Sequence, residues 1–148
     1  MADTTVVRLL VFRVGSLACA AEADTVREIL PRLPTIRIPG APLLVAGLVN
    51  VRGSLVTVVD GWRALEQPAP SAAEGGTTVL LEVGPERRPL GFTVDEVLDL
   101  LAIPDDQLER RERLPGVDPR LVRAVGRRGG QVFVLLDTEA LLAPILTS

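Results

Sequence analysis

The sequence predicts a mostly β fold built from small barrels, with roughly five strands in each half of the chain. Three observations predict it. Short runs of β-branched and aliphatic residues recur along the chain. Clusters of Gly, Pro, Asn and Ser separate them, as turn residues do. A stretch of Pro, Ala, Ser and Gly from Gln67 to Gly76 reads as a linker between two halves of similar style. At 148 residues the chain favours one domain. A chain of that length buries roughly 70% of its unfolded surface, so it needs no metal or disulfide.

The elements follow in order. Val6–Val14 is a strand ended by the turn signal Gly15-Ser16, and Leu17–Ala21 is its return. Asp24 stands where a helix N-cap would, and Val26, Ile29 and Leu30 follow at helical spacing until Pro31. This predicts a short helix of about two turns after the first hairpin. Thr35–Pro39 alternates as a half-buried strand does, and Gly40-Ala41-Pro42 turns the chain. Leu43–Val49 and Ser54–Val59 are strands around a turn at Asn50–Gly53. Thr77–Val83 and Pro89–Val94 flank Gly84-Pro85, and Leu121–Gly126 and Gln131–Leu136 flank Arg127–Gly130. Asp137 is an N-cap for a C-terminal helix carrying Leu141, Leu142 and Ile145. Val94, Val97, Leu98 and Leu101 fit a helical template, which competes with a strand over the same residues.

Composition narrows the function. The net charge of −3 and 3% aromatic content argue against nucleic acid, which wants a basic surface and stacking rings. There is no histidine, no tyrosine and one cysteine, Cys19. That excludes zinc sites and Ser-His or Cys-His nucleophile pairs. Asp95-Glu96 and Asp105-Asp106 are adjacent in sequence, so their side chains diverge and form no dyad. Neither a Walker-type nor a dinucleotide-type glycine pattern occurs. The expectation is a protein without catalysis, cofactor or metal. A lone cysteine among small apolar residues reads as a buried thiol in a reducing cytoplasm. No apolar run approaches the roughly 20 residues that span a bilayer.

The pattern becomes specific at Arg37. Arg37-Ile38-Pro39-Gly40-Ala41-Pro42 leads into Gly47-Leu48-Val49-Asn50-Val51-Arg52-Gly53 and then Val56-Thr57-Val58-Val59-Asp60. Val26–Leu30, Gly91–Val97 and Val134–Asp137 follow the same template in order. Together they resemble the CheW-like family of bacterial chemotaxis coupling proteins, over essentially the whole chain. The resemblance implies a single domain, residues 1–148, of two packed five-stranded SH3-like barrels. It resolves residues 97–103 as extended. It implies a non-catalytic cytoplasmic adaptor that couples chemoreceptor tips to the regulatory domain of a CheA-type histidine kinase. Service in another pathway, such as surface motility, is the alternative.

Site residues divide by chemistry. On residue grounds alone Arg52 is a solvated turn arginine; the resemblance makes it a partner contact, a role suited to a planar, multidentate guanidinium. The resemblance also places Glu28 and Val26 among partner contacts, although Val26 also fits a core position. Gly47, Asn50, Gly53 and Asp60 read as turn and strand-end residues, and Asp95 and Asp137 as turn or cap residues. The chain departs from the family pattern at Ala46, Thr57 and Gly61-Trp62, and its return strand Leu17–Ala21 lacks an aromatic.

Overall fold

A computed structural model describes residues 5–68, 76–110 and 118–146. Ten strands appear among them: β1 Val6–Val14, β2 Leu17–Glu22, β3 Val26–Pro31, β4 Val45–Val51, β5 Ser54–Val59, β6 Thr77–Val83, β7 Arg88–Val94, β8 Glu96–Pro104, β9 Val122–Arg128 and β10 Gln131–Leu136. Helix α1, Gly61–Ala64, follows β5, and α2, Thr138–Leu146, follows β10. The strands form two five-stranded sheets, ordered β8-β1-β2-β10-β9 and β3-β6-β7-β5-β4. The first draws on both ends of the described chain and the second on its middle; they are called here the terminal and central barrels.

The two sheets have equivalent topologies. β8, β9, β10, β1 and β2 take the places of β3, β4, β5, β6 and β7. The pairs β2/β10 and β5/β7 are parallel and all others antiparallel. Each sheet is closed by one bridge from the continuation of an edge strand to the opposite edge: Ile36 to Leu48, and Glu109 to Val125. Asp60 and Asp137 occupy matching places, each accepting a backbone N–H three residues on, from Arg63 and Ala140.

Alternation along the strands divides the apolar side chains. Leu9, Val11, Ala20, Ala124, Phe133 and Leu135 fill the terminal barrel. Val49, Val56, Val58 and Leu80 fill the central one. The opposite faces of β1 and β6, with Leu10, Phe12, Val14, Val79, Leu81 and Val83, meet in a third cluster that joins the barrels. There Phe12 and Phe92 pack edge to face at 6.1 Å, a favoured aromatic geometry.

Three expectations change. The helix over residues 24–30 is absent: a single 3-10 turn at Ala23–Thr25 leads directly into β3. Five residues pairing with β6 satisfy their backbone through the sheet, whereas an isolated two-turn helix is marginal. The helical spacing has a specific origin. A bulge between Val26 and Glu28 breaks the strand alternation. The same device operates in β8, which is a strand as the family resemblance implies. Opposite Val11 and Phe12 the register jumps from Asp99 to Val97. Val97 therefore packs between the barrels while Leu98, Leu101 and Ile103 pack toward the terminal one. Second, Thr35–Pro39 forms only the bridge at Ile36. Third, residues 67–76 do not separate the two barrels, because they connect β5 and α1 to β6 of the same sheet; residues 69–75 lie outside the described residues.

Candidate functional site

Two of the three residues expected to contact a partner are joined to each other. Arg52 sits at the tip of the β4–β5 hairpin and Glu28 in β3, across the seam of the central barrel. Arg52 Nη1 donates to Glu28 Oε1 at 2.9 Å, and Nη2 donates to Oε2. This is the two-point guanidinium–carboxylate fork, stronger and more directional than a single ion pair.

Local sequence sets the geometry. Arg52 and Gly53 have φ of 49° and 89°. A two-residue hairpin turn with both central residues at positive φ matches the right-handed twist of its strands. Asn50 Oδ1 accepts the Gly53 N–H at 2.8 Å and holds the loop. At Gly47 a Cβ would lie 2.5 Å from the Ile36 carbonyl oxygen, so glycine permits the closing bridge. On the other side, the β3 bulge sets Glu28 opposite Leu80, a barrel-interior residue, and leaves Val26 opposite Leu81. Val26 thus packs against the inter-barrel cluster, half-buried. Arg52's side chain is 67% exposed and Glu28's 29%. The arginine hydrogen bond holds the Glu28 carboxyl below its ordinary range, and the carboxylate raises the guanidinium. Two of the five guanidinium N–H groups are committed to Glu28, which leaves three donors for a further acceptor.

The residues read as structural have identifiable work. Asp60 caps α1 and also donates its own N–H to the Leu44 carbonyl at 2.8 Å. Asp95, between β7 and β8, accepts from Gly15 N at 2.6 Å and from Trp62 Nε1 at 2.9 Å through one carboxylate oxygen. The Gly61-Trp62 departure belongs to this node. Gly61 N donates to Thr93 Oγ1 at 2.9 Å, and a Cβ at Gly61 would fall 1.9 Å from the Thr93 carbonyl oxygen. Cys19 is buried, and burial pushes its thiol up to about 12.

The terminal barrel holds a counterpart of the fork that the sequence motifs did not announce. Arg128 Nε donates to Asp99 Oδ2 at 2.9 Å across the seam of that barrel. Asp99 follows the β8 bulge as Glu28 follows the β3 bulge. Arg128 immediately precedes the turn Gly129-Gly130, whose φ values of 52° and 83° match those of Arg52 and Gly53. A sequence signal for the equivalence existed: Gly53 to Asp60 and Gly130 to Asp137 share one spacing of glycine, apolar residues and capping aspartate. Among the described residues no group of three or more His, Cys, Asp or Glu is placed to hold a metal ion. No described helix is long and apolar enough to cross a membrane.

Comparisons agree with this architecture. The family model described as "CheW-like domain" matches residues 8–145. The "Probable chemotaxis protein CheW" of Rhizobium etli is 25% identical over 137 residues, covering 91% of this chain and 86% of that protein. The "Chemotaxis protein CheW" of Klebsiella aerogenes is 26% identical over 142 residues, covering 95% and 84%. Among solved structures, the scaffolding protein TtCheW of Thermoanaerobacter tengcongensis superposes with a TM-score of 0.80 at 16% identity, over 90% of each chain.

Proposed function

Because this chain belongs to the CheW-like domain family, we propose that it is a non-catalytic adaptor of bacterial chemotaxis. In this reading it couples the cytoplasmic tips of chemoreceptors to the regulatory domain of a CheA-type histidine kinase. It works in the cytoplasm and reaches the membrane only through its partners. The observation that carries the reading is the exposed Arg52–Glu28 fork at the seam of the central barrel. Glu28 holds the guanidinium, and Arg52 presents its remaining donors to an acceptor on the partner. Preorganisation of this kind lowers the entropy lost on docking. Val26 contributes from beneath, by packing β3 against the inter-barrel core.

Arg52→Asp tests the reading. It places two carboxylates side by side, with nothing buried at the tip to destabilise. Binding to the kinase regulatory domain, read by calorimetry, should weaken at least tenfold, on the order of 1.4 kcal/mol. The thermal melt should stay near wild type. Unchanged affinity would reduce Arg52 to a turn residue. Co-purification from cell extract supplies the wider check: a kinase and a chemoreceptor should come down together, and recovery of neither sinks the coupling role.

A further inference from the structure

The loop from Arg37 to Leu44 is fixed and yet exposes a large leucine. Ala41 N donates to the Ile38 carbonyl at 3.3 Å, and Val45 N to that of Pro42 at 2.9 Å. Pro39 and Pro42 restrict the backbone further, and Gly40 takes a φ of 77°. On this frame Leu43 is 80% exposed. It rims a recess of about 400 Å³ shared with Arg37, Ile38, Ala46, Asp60 and Arg63.

The terminal barrel shows what the fold itself requires there. Its equivalent segment is Pro119–Val122. Val122 N donates to the Pro119 carbonyl, as Val45 N does to that of Pro42. Asp137 N donates to the Leu121 carbonyl at 2.8 Å, as Asp60 N does to that of Leu44 at the same distance. The residue matching Leu43 is Arg120, whose side chain is 86% exposed and, among the described residues, bonds to Asp118 alone. The position therefore faces solvent in both barrels, and the terminal one fills it with a charged residue. A leucine in that place gains its burial from outside the molecule.

Charge identifies the class of occupant. Arg37 makes no ion pair or side-chain hydrogen bond among the described residues. Asp60 is already engaged, capping α1 and lying 3.7 Å from Arg63. The rim thus presents Arg37, a cation without a counter-charge among the described residues, beside apolar Ile38, Leu43 and Ala46. We propose that the Arg37–Leu43 loop is a second docking surface, separate from the Arg52–Glu28 fork, that takes an acidic partner segment with an aliphatic anchor.

The test uses the intact chain, labelled with 15N, and a blocked peptide Asp-Glu-Leu-Leu-Glu-Asp. Amide resonances of Gly40, Leu43, Ala46 and Arg63 should shift saturably at low salt and less at high salt. Leu43→Arg copies the residue of the other barrel, so the fold is kept; it should weaken binding about tenfold or more, from the lost leucine burial. Arg37→Glu should abolish it. Three results overturn the proposal: no shift at these amides with peptide at millimolar concentration, equal binding of a peptide with serines for leucines, or equal binding of a Lys-for-acid peptide. Concentration-dependent shifts at the same amides without peptide overturn it as well, in favour of a second copy of the chain as occupant.

Discussion

Asp95 offers the sharpest test of how the barrels are held together. Its side chain is 14% exposed, and one oxygen accepts from both Trp62 Nε1 and Gly15 N. Asp95→Ala leaves the indole N–H of a buried tryptophan with no acceptor, at about 1–3 kcal/mol. Gly15 is half-buried, so water partly replaces its lost bond, at about 0.5–1.5 kcal/mol. The sum is about 1.5–4.5 kcal/mol. At this chain length 1 kcal/mol lowers Tm by roughly 3–4 °C, so the expected fall is roughly 5–18 °C. Asp95→Asn behaves differently. Both bonds end on one oxygen, and the asparagine carbonyl can accept both, so only the charge assistance is lost, about 1 kcal/mol. Trp62 is the sole tryptophan and the chain has no tyrosine, so fluorescence during urea unfolding reads this node directly. An Asp95→Ala variant within 2 °C of wild type (roughly half the shift expected for 1 kcal/mol), or an Asn variant as damaged as the Ala variant, would refute the reasoning.

Three further outcomes concern the fork and the packing, and a fourth the thiol. The exchange Glu28→Arg with Arg52→Glu should restore the fork that either single change removes, with the melt near wild type throughout, while kinase binding stays impaired because the exposed charge is reversed. The Glu28 carboxyl is held low by Arg52, so its contribution to stability is present above the unfolded-state pKa and is lost as pH falls through the lower folded value; in Arg52→Ala, NMR titration should show that midpoint rising toward the ordinary range. Gly61→Ala should cost more than 3 kcal/mol, by forcing backbone against the Thr93 carbonyl, whereas Gly53→Ala meets open space and costs about 1 kcal/mol for its positive φ; comparable urea midpoints for the two would contradict the packing at Gly61. Cys19 should resist a thiol reagent at pH 8 in the folded protein and react on unfolding, since burial both shields it and keeps it protonated.

Much of the fold was legible where backbone chemistry is local. The hairpin turns at Gly15-Ser16, Arg52-Gly53 and Gly129-Gly130 announce themselves by residue type, and Asp60 and Asp137 by capping chemistry. The β3 strand was not legible, because a one-residue bulge converts strand alternation into spacing that a helix would also show. The same ambiguity in β8 was resolved only by resemblance to a family. For the site, Arg52, Glu28 and Val26 could be named in advance, but not the bond between the first two, which joins residues 24 apart in sequence. The meaning of Gly61-Trp62 was also hidden, since the Thr93 carbonyl and the Asp95 carboxylate that explain it arrive from β7 and the turn beyond it.

The sequence alone determined that the protein is mostly β, where its turns fall, that Cys19 is a buried thiol and to which family the chain is similar. Periodicity, turn residues and apolar neighbours are read within a few positions of one another, and no partner from elsewhere is needed to interpret them. Tertiary structure decided how the ten strands are shared. The barrels are not the two halves of the chain: one is its middle and the other its two ends, because strand pairing rewards register and buried area without regard to separation along the chain. Closure of each sheet brought Glu28 to Arg52 and Asp99 to Arg128, tertiary packing brought Asp95 to Trp62, and Leu43 was left facing solvent where the other barrel carries Arg120.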